Sequence, residues 1–419
     1  MRLPTFDLFR HRDFARFWAF RFSGTFGFQI LAVTLGWQVY EIARTAGRSI
    51  EESAFLLGLV GLAQVVPLLI LAPFGGQLAD RADRKLILIA CVSGKLLTLL
   101  ALILCSRLLP GETALPALFV IAGFSGAVNA FAPAAAQSLM PALVPRPDLP
   151  KAVAFSSLAF SSGSIIGPAL AGAAIAAGQR FGTGGAEAGY AAAAVFYGLA
   201  LLCLLAVRAP KREPLTEARS LAMIGEGLAY VWRNKVVLGA MSLDLVAVLL
   251  AGATALLPVF ARDLLDTGAV PPEVALGWMR SAVALGAALT ALVLTTAPLT
   301  RRVGPWMFGS VGVFGLATVG FGLADSLWPA LAALLIIGAS DMVSVNVRSS
   351  LIQLATPDPM RGRVASIGFI FISASNELGD FQSGLAARLL GPVGAVLFGG
   401  VGALATTVIW IKLFPELWA

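Results

Sequence analysis

The sequence predicts an all-α membrane protein with twelve transmembrane helices in two pseudo-symmetric six-helix bundles. Three observations carry that prediction. Apolar side chains make up 58% of the 419 residues and charged ones only 13%, and the mean hydropathy is +0.86, which is more apolar surface than soluble domains of this length can bury. The apolar residues fall into runs long enough to cross a bilayer, for which about 20 residues suffice. Short patterns in the first half also recur in the second. Soluble-enzyme and nucleic-acid-binding classes are thereby excluded, and the net charge of +7 reports topology, because the charges lie between the apolar runs.

A hydropathy reading places the spans at 15–41, 54–76, 85–107, 114–137, 152–178, 188–207, 236–261, 274–298, 304–323, 328–354, 363–387 and 392–413. The tightest connections are those near Ala324 and Gly391. No small-residue cleavage pattern follows the charged N-terminal segment, so the first helix is expected to stay as an anchor. The longest charged stretch, Arg208 to Lys235, divides the chain into a first bundle (1–207), a linker (208–235) and a second bundle (236–419). Within the linker Leu221, Ile224, Leu228 and Trp232 recur at helical spacing, which predicts a short amphipathic helix lying along the membrane surface. Twenty Lys and Arg residues fall on the N-terminal side of the membrane and only six on the other: Arg44, Arg48, Arg107, Arg180, Arg262 and Arg388. The positive-inside rule therefore places both termini in the cytoplasm.

The repeat is visible in short motifs. Gly76, Leu78 and Arg81 after the second span reappear as Ala297, Leu299 and Arg302 after the eighth, 221 residues later. Val144, Pro145 and Pro147 reappear as Thr356, Pro357 and Pro359, offset by 212. Repeated six-helix halves predict a transporter with its site between them, near mid-membrane.

The loop Gly76-Gln-Leu-Ala-Asp80-Arg81-Ala-Asp83-Arg84-Lys85 resembles the signature between the second and third helices of the major facilitator superfamily, with Asp83 where that family has a second glycine. The resemblance implies the major facilitator fold. It also implies a cytoplasmic gate made by Gly76, Asp80, Arg81, Arg84 and Lys85, with Asp80 latching onto the start of the eleventh helix at Arg361 and Arg363. The simpler reading of these charges is a positive-inside anchor. In the fifth span Gly163, Gly167, Pro168 and Gly172, with Ala171 in place of one glycine, resemble the glycine-proline motif of exporters in the superfamily. Small residues four apart also serve generic helix packing. The stretch from Arg348 to Gly384 and the segments around Pro141 and Pro258 are similar to the enterobactin-exporter-like, drug- and siderophore-efflux branch.

Ionisable residues within the spans carry the mechanistic expectation. Glu377 and Asp380, with Asn376, share one face of the eleventh helix, opposite Phe371, Leu378 and Phe381. Asp341 and Asp244 are further embedded acids. A carboxylate held in low dielectric beside another favours the neutral form, so these four are the proton-coupling candidates. Arg21, Lys95, Arg280 and Arg348 are embedded bases, and Gln29, Asn129, Asn346 and Asn376 are cavity candidates. A charge at the bilayer centre costs ~2.5 to 3.5 kcal/mol on insertion scales, so such groups face a partner or a cavity. Trp37, Tyr40 and Trp278 are expected to be interfacial anchors.

Other chemistries find no support. Cys91, Cys105 and Cys203 lie in apolar runs and make neither a disulfide framework nor a zinc cluster, and His11 is the only histidine. Ser93-Gly94-Lys95 lacks the earlier glycine of a phosphate-binding loop, since Ile89 stands there. No enzymatic activity and no metal are expected. The expected function is export of a small amphipathic compound, siderophore or drug-like, by proton antiport with alternating access. No cofactor beyond the proton gradient is expected, nor any nucleic acid. The bilayer and the substrate are the partners, the carrier is expected to act as a monomer, and the location is the bacterial inner membrane. The alternative is an importer or a lysophospholipid-translocating carrier of the same fold.

Overall fold

The computed structural model describes the backbone of residues 6–208, 221–297, 299 and 303–417. The side chains of residues 6, 7, 80, 221–224, 358, 359, 361–363, 365, 366, 369, 370, 373 and 374 stand outside that description. Long helices fill the chain: α1 (Arg12–Thr45), α2 (Ile50–Arg81), α3 (Arg84–Leu108), α4 (Leu115–Asn129), α5 (Ala132–Leu139), α6 (Leu149–Arg180), α7 (Gly185–Ala206), α8 (Leu221–Arg233) and α9 (Lys235–Leu250). They continue with a single turn, α10 (Leu257–Val259), then α11 (Pro272–Thr296), α12 (Val303–Gly322), α13 (Leu327–Ala355) and α14 (Asp358–Leu413). Among the described residues the one extended pairing is an isolated bridge between Asp266 and Ser326. An all-helical chain is what a bilayer requires, because a helix satisfies its backbone polar groups internally.

Among the described residues ten helical segments are long and apolar enough to cross a membrane. The more heavily charged α1 and the division of α14 at Gly391, whose φ of 75° and ψ of 161° are non-helical, bring these to the twelve expected spans. A left-handed φ suits a residue without a Cβ, which lets the chain re-aim at Gly391 with almost no loop. Large apolar side chains such as Leu86, Val120, Leu202, Leu292 and Leu389 are exposed on helix surfaces, as lipid-facing side chains should be.

Two compact units are present: residues Met1–Gln38 with Val66–Arg219, and Val39–Val65 with Ser220–Ala419. The later part of α1 and the earlier part of α2 thus pack with the second group of helices. In the first unit α3 packs on α4 and α7, and α6 on α7. Leu8, Phe14, Val144, Ala152 and Phe155 form a buried apolar cluster, beside which the Trp18 indole Nε1 donates to the Phe155 carbonyl at 2.8 Å.

In the second unit α13 packs on α11 and α12, and α14 on α9 and α12. Helix α8 is strongly amphipathic. It buries Val231 beside Val237, Met241, Val364 and Ile367 and leaves Trp232 exposed. Its last turn is tied down through Tyr230, whose hydroxyl donates to the Ala355 carbonyl at 2.7 Å, and Asn234 caps α9 by accepting from the Val236 and Val237 amides at 3.1 Å.

The α11–α13 seam is the closest in the second unit. A Cβ at Gly286 would collide with the Leu335 carbonyl and one at Gly338 with the Val283 carbonyl. Backbone cannot yield as a flexible side chain does, so overpacking should cost roughly 2 to 3 kcal/mol or more. Gly338→Leu is expected to lower the apparent melting temperature of the detergent-purified protein by several degrees, measured against Gly312→Leu, whose added Cβ would meet open space.

Candidate functional site

The charged loop after α2 is built by capping. Helix α2 continues through Gly76 to Arg81, so the chain reverses at residues 82–83 and not at Gly76 as the motif implied. Asp83 is the N-cap of α3 at φ −64° and ψ 114°, and its Oδ1 accepts from the Lys85 amide at 2.8 Å. The residue that departs from the family pattern therefore caps a helix in a conformation needing no glycine. The close approach lies one residue before Gly76: a Cβ at Gly75 would meet the Ala130 carbonyl, while Gly76 faces open space.

Beside that loop the basic residues hold helix ends of the first unit. Arg84 donates to the Ser138 carbonyl at 3.0 Å and the Ala79 carbonyl at 3.2 Å. Lys85 Nζ donates to the carbonyls of Leu205 at 2.9 Å and Val207 at 2.7 Å, and Arg16 donates to that of Ala206 at 2.9 Å. These cations meet the negative end of α7, where unpaired carbonyls accumulate. Arg81 is exposed. The side chains of Asp80, Arg361 and Arg363, on which the expected latch falls, lie outside the described residues.

The glycine-proline helix is α6. Gly163 and Gly167 are buried against α1, where a Cβ would stand 2.6 Å from Thr25 Cγ2 and 2.7 Å from Gln29 Cβ respectively. Gly172 and Ala171 are buried and Pro168 sits inside the helix. Gln29 is thus a packing partner of the motif as well as a polar group, and Arg21 lies two turns before it on α1, half-buried. Lys95 is buried and reaches across to α4, donating to Ser125 Oγ at 2.6 Å and to its carbonyl at 3.0 Å. Asn129 ends α4, half-buried. A buried relay that the sequence reading passed over joins Tyr190, Gln38 and Ser106: the Tyr190 hydroxyl donates to Gln38 Oε1 and Gln38 Nε2 to Ser106 Oγ, each at 2.5 Å.

Embedded charges cluster in the second unit. Asp244 on α9 and Arg348 on α13, both buried, form an ion pair. Arg280 on α11 interacts electrostatically with Asp380 and, more weakly, with Glu377 on α14, and its Nε finds no hydrogen-bond acceptor. Asp341 on α13 opens onto a cleft shared with Asp244. Asn346 is half-buried and Asn376 exposed. The polar face of α14 is covered by α2, where a Cβ at Gly61 would stand 3.1 Å from Asp380 Cβ and one at Gly58 3.0 Å from the Phe381 carbonyl.

Polar groups near the end of α1 and in the π-turn that follows α10 overturn one expectation. Trp37 and Tyr40 are packed inside, not at a lipid interface; Trp278 is 37% exposed. The Tyr40 hydroxyl donates to Asp263 Oδ2 at 2.5 Å, and Arg44 reaches both carboxylate oxygens of Asp263 at 3.0 and 3.2 Å. Arg262 lies 3.3 Å from Glu41 and over the Tyr40 ring. The five-residue π-turn Phe260–Leu264 sets Arg262 and Asp263 side by side toward α1.

With this geometry in place, comparison with known proteins assigns the family. The Major Facilitator Superfamily profile matches residues 17–379. The chain belongs to this superfamily. It is 29% identical over 353 residues to the enterobactin exporter EntS of Escherichia coli O1:K1, covering 84% of this chain and 76% of that one. It is 28% identical over 363 residues to EntS of Shigella boydii serotype 4, covering 85% and 79%. Among solved structures, the nucleoside transporter NupG superposes with a TM-score of 0.74 at 13% identity, covering 97% of this chain and 100% of that one. A bacterial homologue of the human lysosomal transporter Spinster, inward-facing and unoccupied, gives 0.69 at 15% identity, covering 96% of each. Those two likenesses bear on the fold. The family makes this a multi-pass membrane transporter.

Two outcomes follow from these contacts. Asp263→Asn should destabilise the protein by roughly 1 to 2 kcal/mol, because Arg44 loses its partner in a partly buried setting, and the cost should shrink in the Asp263→Asn, Arg44→Met double variant. A thermal-shift double-mutant cycle reads this directly. Just before the first predicted span, the Arg208 amide donates to Asp13 at 2.9 Å and, with Arg16, holds the Asp13 carboxyl below the usual carboxylate range against a small opposing effect of burial. A depressed folded-state value means that this tie is present above the ordinary carboxylate range and lost as pH falls through the lowered value. Arg208 amide protection, corrected for intrinsic exchange, should therefore hold at neutral pH and fall under strong acid, and Asp13→Asn should weaken it at neutral pH.

Proposed function

We propose that this carrier exports a small amphipathic compound, siderophore-like or drug-like, by antiport against protons with alternating access. It sits in a bacterial inner membrane with both termini cytoplasmic and acts as a monomer without a bound cofactor. The export direction and substrate class are supported by the relation to enterobactin exporters across most of the chain, and by the packing of the glycine-proline motif of α6 against α1. The orientation is supported by the twenty-to-six asymmetry of Lys and Arg.

The observation that carries the coupling is a charge imbalance. Within the interior of the second unit's spans four acids, Asp244, Asp341, Glu377 and Asp380, face two cations, Arg280 and Arg348. Unpaired charge in a low-dielectric interior is too costly to keep, so the surplus calls for protons. A carrier whose acids take protons from one side and give them up on the other can use their ionisation to bias affinity for substrate. Glu377 and Asp380 sit where α2 covers α14, so access to them changes if that seam opens.

Reconstituted protein should move enterobactin against its concentration gradient when an opposed proton gradient is imposed. One pH unit is worth about 1.4 kcal/mol, so a one-for-one exchange should sustain roughly ten-fold accumulation. A protonophore should abolish it. Accumulation that ignores the proton gradient would remove the coupling, and the absence of any enterobactin or ethidium movement would remove the export reading.

A further inference from the structure

Asp341 differs from the other embedded acids in having no pairing partner among the described residues. Its carboxyl opens onto a narrow cleft inside the second unit, lined also by Asp244 and Val248 of α9, Phe314 of α12, and Ser340 and Ser344 of α13. Among the described residues it makes no hydrogen bond and no ion pair. Asp244 is already committed to Arg348. The elements packed around the cleft offer no spare cation. On α9 the other charge is Lys235, at the first residue of the helix and 3.6 Å from Glu416. Helix α12 carries no ionisable side chain over 303–322, and α13 has only Arg348 besides Asp341. On α11 Glu273 stands in the first turn, and Arg280 is engaged with Asp380 and Glu377. On α14 Asp358, Arg361 and Arg363 lie in the first turns, Arg388 sits over the Phe55 ring, and Lys412 is in the last turn.

The cleft is too small for an amphipathic substrate and leaves space for about one water molecule. A hard metal cation would demand roughly six oxygen ligands. The cleft supplies one uncommitted carboxylate and two serine hydroxyls, and Ser340 donates its hydroxyl hydrogen to the carbonyls of Ile336 and Ile337 at 2.8 and 2.9 Å. A proton needs only the carboxylate.

We propose that Asp341 is the residue that binds the coupling proton, held as a neutral carboxyl in this cleft and separate from the Asp244–Arg348 and Arg280–Glu377–Asp380 groups. This rests on the proton-antiport reading above and names the acid within it. The neutral form suits a narrow cleft with room for about one water molecule. The ionised form requires water or a cation, so loss of the proton favours the state in which the cleft is hydrated, and gain of the proton favours its closure.

The test uses the full chain, purified and checked for helical content and a single elution peak. At neutral pH, infrared spectra should show a protonated-carboxyl C=O band whose intensity drops in Asp341→Asn and persists, shifted, in Asp341→Glu. Proteoliposomes should then show that Asp341→Asn loses proton-driven enterobactin accumulation, falling to the level of equal concentrations, while keeping enterobactin counterflow; Asp341→Glu should restore driven accumulation. An unchanged band in Asp341→Asn, a band lost on adding sodium at constant pH, or full proton-driven accumulation by Asp341→Asn would each overturn the proposal. If wild-type protein moves no enterobactin, the proposed function fails, and the infrared comparison still decides the proton on Asp341.

Discussion

Ionised side chains in the second unit are held under one constraint: in the membrane interior each must find a counter-charge, a strong hydrogen bond or a proton. The structure answers differently at each position. Asp244 and Arg348 neutralise each other outright. Arg280 interacts electrostatically with Asp380 and Glu377 of α14, and its Nε has no acceptor among the described residues. Lys95, in the first unit, donates to the hydroxyl and carbonyl of Ser125. Asp341 has neither counter-charge nor hydrogen bond among the described residues. Because the cost of isolating charge is several kcal/mol, each of these groups is held by a different means.

The second recurring device is backbone approach through small residues. Gly163 and Gly167 bring α6 onto α1, Gly286 and Gly338 bring α11 onto α13, and Gly58 and Gly61 bring α2 onto α14. In lipid there is no hydrophobic gain from helix association, so dispersion contact along such seams and buried polar contacts do the joining. Seams of this kind are stiff in one sense and separable in another: they have little side-chain interlocking, and water that enters them finds backbone to solvate.

Much of this was readable from the chain, and the reasons for the rest are physical. Apolar run length locates the helices because the bilayer fixes what length can cross, and even the doubtful boundary at Gly391 proved to be a single glycine with positive φ. The loop motif and the glycine-proline helix were legible because they are local. Partners were not. Tyr40 and Asp263 are 223 residues apart, so a tyrosine near a span end read as an interfacial anchor when its hydroxyl is in fact buried on a carboxylate. The Tyr190–Gln38 contact spans 152 residues and left only a faint trace, a glutamine in an apolar run. Gly75 was missed for Gly76 because sequence pattern marks a glycine pair without saying which member faces the neighbouring backbone. The replacement of the family glycine by Asp83 was resolvable only once its φ and its contact with the Lys85 amide were in view.

Charge and glycine then become one argument on the face of α14. Gly384 approaches Gly58 so closely that a Cβ there would lie 2.8 Å from the Gly58 Cα, and one turn away Gly61 lies over Asp380 and Glu377. Any larger side chain on this part of α2 would hold the helix off α14 and open a path for water to the carboxyls, raising the effective dielectric around Arg280 and its two acids. The interaction energy among those three groups would fall, since it scales inversely with that dielectric. Small residues on α2 therefore do more than permit packing. They set how strongly the acids of α14 feel the arginine.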